Sequence, residues 1–182
     1  MRQAIVVVDY DPTWPEVFER LRAPLWEAVQ DFALGIEHVG STSVPGLAAK
    51  PIIDIDVVVA TEADVALAIE RLAVLGYTHQ GNLGILGREA FHQPAHLPLH
   101  HLYVCLQNSA GLRNHLALRD YLRAHPGAVK AYSALKKRLA QEHAYNIDAY
   151  IEGKSDMILA MLKETGFEED QLDSIREQNR AK

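Results

Sequence analysis

Residues 38–59 read HVGSTSVPGLAAKPIIDIDVVV, and two aspartates interrupt the aliphatic run that ends this stretch. Asp54 and Asp56 lie among isoleucines and valines, residues typical of a buried strand. Side chains alternate between the faces of a strand, so both carboxylates are predicted on one face and Ile53 and Ile55 on the other. Two like charges that close, about 7 Å apart along the strand, repel unless a cation separates them. The pattern therefore predicts a site for Mg²⁺, which prefers hard oxygen ligands.

The small-residue stretch Gly-Ser-Thr-Ser at 40–43 comes between a predicted strand at 36–39 and a predicted short helix around 45–49. Small residues let backbone N–H groups approach a phosphate, and a helix N-terminus adds partial positive charge. An Asp-x-Asp pair alone, or a Gly-Ser alone, more often marks a cap or a solvated face. The order strand, Gly-Ser, short helix and Asp-x-Asp strand favours a site for a Mg²⁺-bound nucleotide.

The composition is that of an ordinary globular chain, with 48% hydrophobic and 23% charged residues among 182. A length of 182 residues predicts one domain with its own core. The formal charge of -6 argues against a surface that coats nucleic acid. A single cysteine, Cys105, excludes an internal disulfide, and no apolar run is long enough to span a membrane, so we expect a cytoplasmic protein.

Outward from this segment, apolar periodicity predicts an α+β domain: a mixed sheet flanked by helices, with a helical C-terminal part. Strands are predicted at 5–8, 36–39, 52–59, 77–80, 84–90 and 99–106. Helices are predicted at 13–30, capped by Thr13 and with a possible break at Pro24, at 61–75, and from 112 onward with interruptions near 125–127 and 145–146. We expect one domain over residues 1–167 and a polar tail or frayed helix over 168–182.

Several motifs together resemble one family. The segment HVGSTSVPGLAAKPIIDIDV is similar to the signature of the GrpB-like family, a branch of the nucleotidyltransferase-fold superfamily. The opening VVVDYDPTWPEVF resembles that family's first strand and Trp-Pro helix, HHLYV its later strand, and LRDYLRAHP with YIEGK its helical half. The resemblance extends roughly over residues 6–162 and implies a nucleotidyltransferase-like mixed sheet with helices.

The resemblance also implies ligands for particular residues. Gly40, Ser41 and Thr42 of the small-residue stretch would meet the phosphates of a nucleoside triphosphate, and Asp54 and Asp56 would hold Mg²⁺. The basic residues expected to contact phosphate are Lys50, Lys154 and Arg119.

Active nucleotidyltransferases typically add a third carboxylate from a later strand, and the predicted strand at 99–106 has none. It offers His101 on the face expected to carry the site, where an imidazole could act as a general base or contact phosphate. Arg113, Lys136 and Lys137 are expected at solvated helix positions, and Tyr121 and Tyr132 in the core rather than against a base.

Three functions remain open from the sequence. The first is an enzyme that binds a Mg²⁺-nucleotide and transfers a nucleotidyl group to a small acceptor. The second is a binding module for a nucleotide or phosphate ligand that has lost catalysis with the third acid. The third is a metal-dependent hydrolase with zinc or nickel held by loop histidines, although Pro94 and Pro98 exclude a helical arrangement of these. The histidines in question are His92, His96, His100 and His101.

Overall fold

The computed structural model describes residues 4–180, with side chains through residue 177. The strands are β1 (Gly35–Val39), β2 (Ile53–Val59), β3 (Thr78–Gly81), β4 (Arg88–His92) and β5 (His100–Leu106). The helices are α1 (Trp14–Val29), α2 (Glu62–Val74), α3 (Ala110–Ala124), α4 (Pro126–Glu142), α5 (Ile147–Glu164) and α6 (Glu169–Arg180). One turn of 3-10 helix, Ser41–Ser43, follows β1.

The five strands form one sheet in the order β1-β2-β5-β4-β3. Only β2 and β5 are parallel neighbours, and the other three pairs are antiparallel. This arrangement confirms the predicted mixed sheet with flanking helices and a helical C-terminal part. The division into a domain at 1–167 and a tail at 168–182 stays a prediction.

The two faces of β2 have different environments, as alternation predicts. Ile53, Ile55 and Val57 are buried in the main core, which includes Leu25 of α1 and Leu72 of α2. The opposite face carries the two aspartates. Helices α3, α4 and α5 contribute side chains to the cleft above that face. The sheet therefore separates an apolar layer from a polar one.

The N-terminal segment differs from the prediction at two places. Residues 5–8 are not a strand of the sheet, because Val8 makes only an isolated bridge to Ala49. Among the described residues, no strand of the sheet pairs with this segment through a ladder of backbone hydrogen bonds. Thr13 is the N-cap residue of α1, as predicted, but its side chain makes no capping hydrogen bond: its amide and hydroxyl both donate to the Asp11 carboxylate, at 2.8 and 2.7 Å. Helix α1 continues through Pro24 without a break.

The helical turn near the glycine-serine stretch lies earlier than predicted. The 3-10 turn occupies Ser41–Ser43, whereas residues 45–49 are irregular. Gly46 has a φ of 80°, a left-handed conformation that interrupts any helix there. A single turn has too few aligned peptides to supply a helix dipole, so that part of the expected phosphate site is absent.

The C-terminal residues are more ordered than a polar tail. Helix α6 buries Leu172 and Ile175 against Leu159 and Leu162 of α5. Residues 181 and 182, which belong to the same prediction, lie outside the described residues. Within residues 4–180, no helix is long and apolar enough to cross a membrane.

Candidate functional site

A cleft of about 310 Å³ lies between the polar face of β2 and β5 and the helices α4 and α5. Most of the residues predicted from the sequence to bind a ligand line it. These are Gly40, Ser41, Lys50, Asp54, His101 and Lys154.

Asp54 lies at the mouth of this cleft, where it is paired with the histidine predicted to complete the site. The two residues are register partners on β2 and β5. The Nδ1–H of His101 donates to Oδ1 of Asp54 at 2.7 Å, which leaves Nε2 facing away from the carboxylate. The His101 side chain is 44% exposed, so it is accessible to a bound molecule.

Gly40 is required by its contact with the same aspartate. Its φ is 69°, and a Cβ added there would lie 2.1 Å from Oδ2 of Asp54. No L-residue with a side chain fits that space without displacing the carboxylate. The glycine of the small-residue stretch thus has a steric role in holding Asp54 beside the turn.

Asp56 lies deeper, with a fully buried side chain. Its Oδ2 accepts a hydrogen bond from Nδ1 of His115 on α3 at 2.8 Å. Its Oδ1 is also buried but has no hydrogen-bond partner among the described residues. Burial lowers the pKa of His115, yet the charge and hydrogen bond of Asp56 outweigh it and raise the pKa overall. His115 is a site residue that sequence reasoning missed, since nothing local connects positions 59 residues apart.

The two carboxylates fit a hard divalent cation. Each carboxylate accepts a hydrogen bond from a histidine through one of its oxygens. The other oxygen of Asp56 is buried and has no hydrogen-bond partner among the described residues. An acceptor in that state costs free energy unless a ligand satisfies it. Residues 4–180 contain no group of three or more histidine, cysteine, aspartate or glutamate side chains placed to hold a metal. Mg²⁺ commonly binds with one or two carboxylates and completes its shell with water and phosphate.

Lys136 is the main correction to the predicted site, because it is buried rather than solvated. The residue is 2% exposed, and its Nζ donates to the Ser41 hydroxyl at 2.9 Å. Burial lowers the pKa of Lys136 to about 6, helped by repulsion from Lys154 and opposed by attraction to Asp54. Helical spacing could have indicated this, since Lys136 lies four residues after the buried Tyr132.

Lys154 and Lys50 complete a basic wall beside Lys136. The Lys154 ammonium lies 4.6 Å from the centre of the Tyr150 ring, and both lysines line the cleft. Lys137, by contrast, is partly exposed and pairs with Asp9 on the surface. This agrees with the solvated position predicted for it.

Two predicted ligand residues lie outside the cleft and hold the surrounding structure. Thr42 is 1% exposed, and its hydroxyl donates to the Ile52 carbonyl at 3.3 Å and accepts from Nε2 of His38. Arg119 pairs with Glu37 on β1 at 2.6 Å and donates to the His38 carbonyl. Arg119 therefore ties α3 to the edge of the sheet.

The alternative metal site built from loop histidines is not formed by the described residues. His92 and His96 are exposed. His100 is buried on the opposite face of β5 from His101, with its Nε2 2.9 Å from the Tyr77 hydroxyl. Strand alternation separates the two adjacent histidines, so the described residues do not favour this alternative.

The site is thus a cleft in a mixed α+β domain, with a glycine-serine turn beside a strand that carries two aspartates. The chain belongs to the GrpB protein family, whose sequence model matches residues 4–164.

Two relatives agree with the family assignment, and one more distant structure is similar over part of its length. The YqkA protein of Bacillus subtilis is 37% identical over 157 residues, which are 86% of this chain and 46% of that protein. The present chain thus spans about half the length of that relative. The crystal structure of GrpB from Enterococcus faecalis is 36% identical with a TM-score of 0.79, over 93% of this chain and 99% of that one. A poly(U) polymerase solved with MgGTP is 17% identical with a TM-score of 0.49, over 74% of this chain and 44% of that one.

Proposed function

We propose that the chain binds a nucleoside triphosphate with Mg²⁺ in the cleft and transfers its nucleotidyl group to a small acceptor. The observation that carries the proposal is a cleft that combines acidic and basic groups. Asp54, Lys50, Lys136 and Lys154 line it, and Asp56 lies buried two residues along β2 from Asp54. In a chain of formal charge -6, this local cluster supplies the positive field that phosphates need.

The triphosphate would bind between the turn and the lysines. Lys136 already donates to the Ser41 hydroxyl, so both groups are directed to one point at the cleft wall. No carboxylate pairs directly with Lys136 among the described residues, and burial favours its neutral form, so an anionic ligand beside it would favour protonation of the amine. The protonated amine would then take the role expected for a helix end.

Asp54 and Asp56 would hold the Mg²⁺ ion, which would neutralise phosphate charge when bound. His101 would receive the proton of the acceptor hydroxyl at Nε2, because its Nδ1–H is held by Asp54. The hydroxyl oxygen then bonds to the α-phosphorus as the bond to the bridging oxygen breaks and pyrophosphate leaves. Lys136 and Lys154 would stabilise the negative charge on that leaving group.

A binding module without transfer is the second candidate, and one feature of β5 favours it. Tyr103 is the register partner of Asp56, on the strand where active nucleotidyltransferases carry a third carboxylate. Burial and the nearby aspartates raise the pKa of Tyr103 to about 12, so its hydroxyl stays neutral and cannot replace a charged carboxylate. Binding would persist in this case while chemistry is lost.

Thermal melting with ATP, GTP, CTP and UTP, each with Mg²⁺ or EDTA, tests the binding common to both candidates. A ligand that binds only the folded state raises the melting temperature. We expect a shift with at least one nucleotide that requires Mg²⁺ and disappears in Asp54→Asn. No shift with any nucleotide would contradict both candidates.

Pyrophosphate release from the bound nucleotide, measured with a pool of small hydroxyl and amine acceptors, separates the enzyme from the binding module. Release that falls by roughly 100-fold or more in His101→Gln, with the nucleotide shift kept, supports transfer with His101 as the base. A Mg²⁺-dependent shift without any release supports the binding module.

A further inference from the structure

Arg88, the first residue of β4, is a buried cation that the proposed nucleotide site does not use. It is 5% exposed and lines the cleft. Its Nε is buried without a hydrogen-bond partner, and its guanidinium makes no ion pair with any described residue. The guanidinium instead makes a cation–π contact with the Tyr103 ring, whose centre lies 4.3 Å from Cζ. A guanidinium keeps its charge at any physiological pH, so burial cannot be relieved by loss of a proton.

The fold holds Arg88 in place from two sides. On the sheet it is the register partner of Cys105, which puts its side chain on the same face as Tyr103. On the helix side, α3 begins with a small residue: a Cβ added to Gly111 would lie 3.5 Å from Cδ of Arg88. The stem is therefore packed and the charged end borders the cleft. Fixed geometry of this kind suits recognition of one anionic group.

Arg88 and Lys136 lie on opposite sides of the aspartate strand in the sheet order. Arg88 is on β4, the aspartates are on β2, and Lys136 donates to Ser41 in the turn after β1. The two carboxylates therefore stand between two positive regions. One region accounts for the triphosphate, and the other has no assigned ligand.

We propose that Arg88 binds an anionic group of the acceptor, so that the second substrate is a small phosphorylated or carboxylated molecule. The inference rests on the proposed function, because it places the acceptor opposite the triphosphate across Asp54 and Asp56. The guanidinium offers the planar pair of donors that matches a phosphate or a carboxylate. Asn114 and His115 of α3 line the same part of the cleft and add polar groups beside it.

The test measures binding of two probe series by thermal melting and titration calorimetry. Phosphomonoesters are represented by glycerol 3-phosphate and ribose 5-phosphate, and carboxylates by citrate and glutarate. One series is expected to bind, and the affinity is expected to fall roughly tenfold or more in Arg88→Met, the loss of hydrogen bonds to a charged group. Arg71→Met is the matched control, since Arg71 is a partly exposed arginine paired with Asp31.

Failure of this proposal is distinguishable from failure of the nucleotide site. Nucleotide shifts are measured in the same variants and are expected to persist in Arg88→Met and to be reduced, though still measurable, in Lys136→Met. Unchanged anion affinity in Arg88→Met, or no binding by either probe series, would overturn the proposal whatever the nucleotides do.

If Arg88 served only to balance the charge of Asp56, its variants would behave differently. That role requires Arg88→Met to be less stable than the wild type, whereas a ligand-binding arginine without a partner predicts equal or greater stability. Arg88→Lys keeps the charge but loses the planar donor pair, so it is expected to fold and to bind the anion more weakly. Full affinity in Arg88→Lys would contradict recognition by the guanidinium.

Discussion

Lys136 is a buried lysine that is expected to favour ligand binding and to lower the stability of the folded protein. Its amino group is removed from water, and the Ser41 hydroxyl is its only hydrogen-bond partner among the described residues. Burial lowers its pKa to about 6, whereas the unfolded chain keeps the ordinary value of 10.5. Between these two values the unfolded state binds the extra proton, so stability rises with pH across that window. Below it, the folded protein must hold a buried charge.

Lys136→Met is expected to stabilise the protein at pH 7 by about 0.5–2 kcal/mol, because an apolar chain of similar length replaces a buried amine. The gain should shrink as the pH approaches 10. Denaturant unfolding at several pH values measures it. Lys137→Met, a change at a partly exposed neighbour, is expected to stay within roughly ±0.5 kcal/mol. A destabilised Lys136→Met protein would show that the lysine is structural.

Nucleotide binding at pH 7.5 is expected to take up part of a proton. Lys136 is mostly neutral there in the free protein, and an anion beside it raises its pKa. The groups that act on it from neighbouring elements are Lys154, which opposes protonation, and Asp54, which favours it. Calorimetry in buffers of different ionisation enthalpy measures the uptake. Equal uptake in Lys136→Met, which has no such group, would contradict this assignment.

At the scale of elements, the connection between β1 and β2 sets the geometry of the site. Gly40 leaves β1 in a left-handed conformation and passes within contact of Asp54 on β2. The 3-10 turn that follows is fixed by buried hydroxyls, among them Ser43, which donates to the Gly40 carbonyl at 2.6 Å. The turn and the aspartate are therefore a single packed unit.

Gly40→Ala is expected to destabilise the protein by roughly 1–3 kcal/mol, through left-handed strain and the clash with the carboxylate. It should also abolish the Mg²⁺-dependent nucleotide shift, because Asp54 must move. The matched control is Gly35→Ala, at the start of the same strand, where an added Cβ meets nothing within 4 Å. Equal behaviour of the two variants in thermal melting would exclude a special role for Gly40.

Helix α6 is expected to contribute to stability and not to the site. Leu172→Ala removes a side chain buried against α5 and should cost about 2–4 kcal/mol. The nucleotide shift should stay unchanged, since the residue lies outside the cleft. Glu177→Ala, an exposed position on the same helix, serves as the control. If Leu172→Ala and the wild type unfold at the same denaturant concentration, the packing of α6 on α5 contributes nothing to stability. The C-terminal segment then behaves as a tail.

Local patterns predicted those elements whose signals are strong. The Thr61–Asp64 capping box of α2 and the alternation of β2 are properties of neighbouring residues, and both are present. The pairing of Asp56 with His115 and of Ser41 with Lys136 depends on how helices dock across the sheet, which sequence spacing does not encode. The part of the site on the β1–β2 segment could therefore be predicted, together with His101 and Lys154, whereas the contacts of Lys136 and His115 could not.

At the scale of the whole molecule, charge is distributed unevenly. The chain carries a formal charge of -6, yet its cleft is lined by three lysines, an arginine and the His101–Asp54 pair, with the His115–Asp56 pair beside it. The sheet supplies the acidic groups, and the C-terminal helices supply the lysines Lys136 and Lys154. Both halves of the chain are thus needed to form one site. Such an arrangement suits an anionic ligand that arrives with a cation.

We propose that the aspartate pair and Lys50, Lys136 and Lys154 together bind a metal-bound triphosphate. Calorimetric titration tests this with the nucleotide that gives the largest thermal shift, added with Mg²⁺ or with EDTA to the wild type and to Asp56→Asn. We predict one site per chain that requires Mg²⁺ and is at least tenfold weaker in the variant. Equal affinity in EDTA, or in Asp56→Asn, would contradict the account.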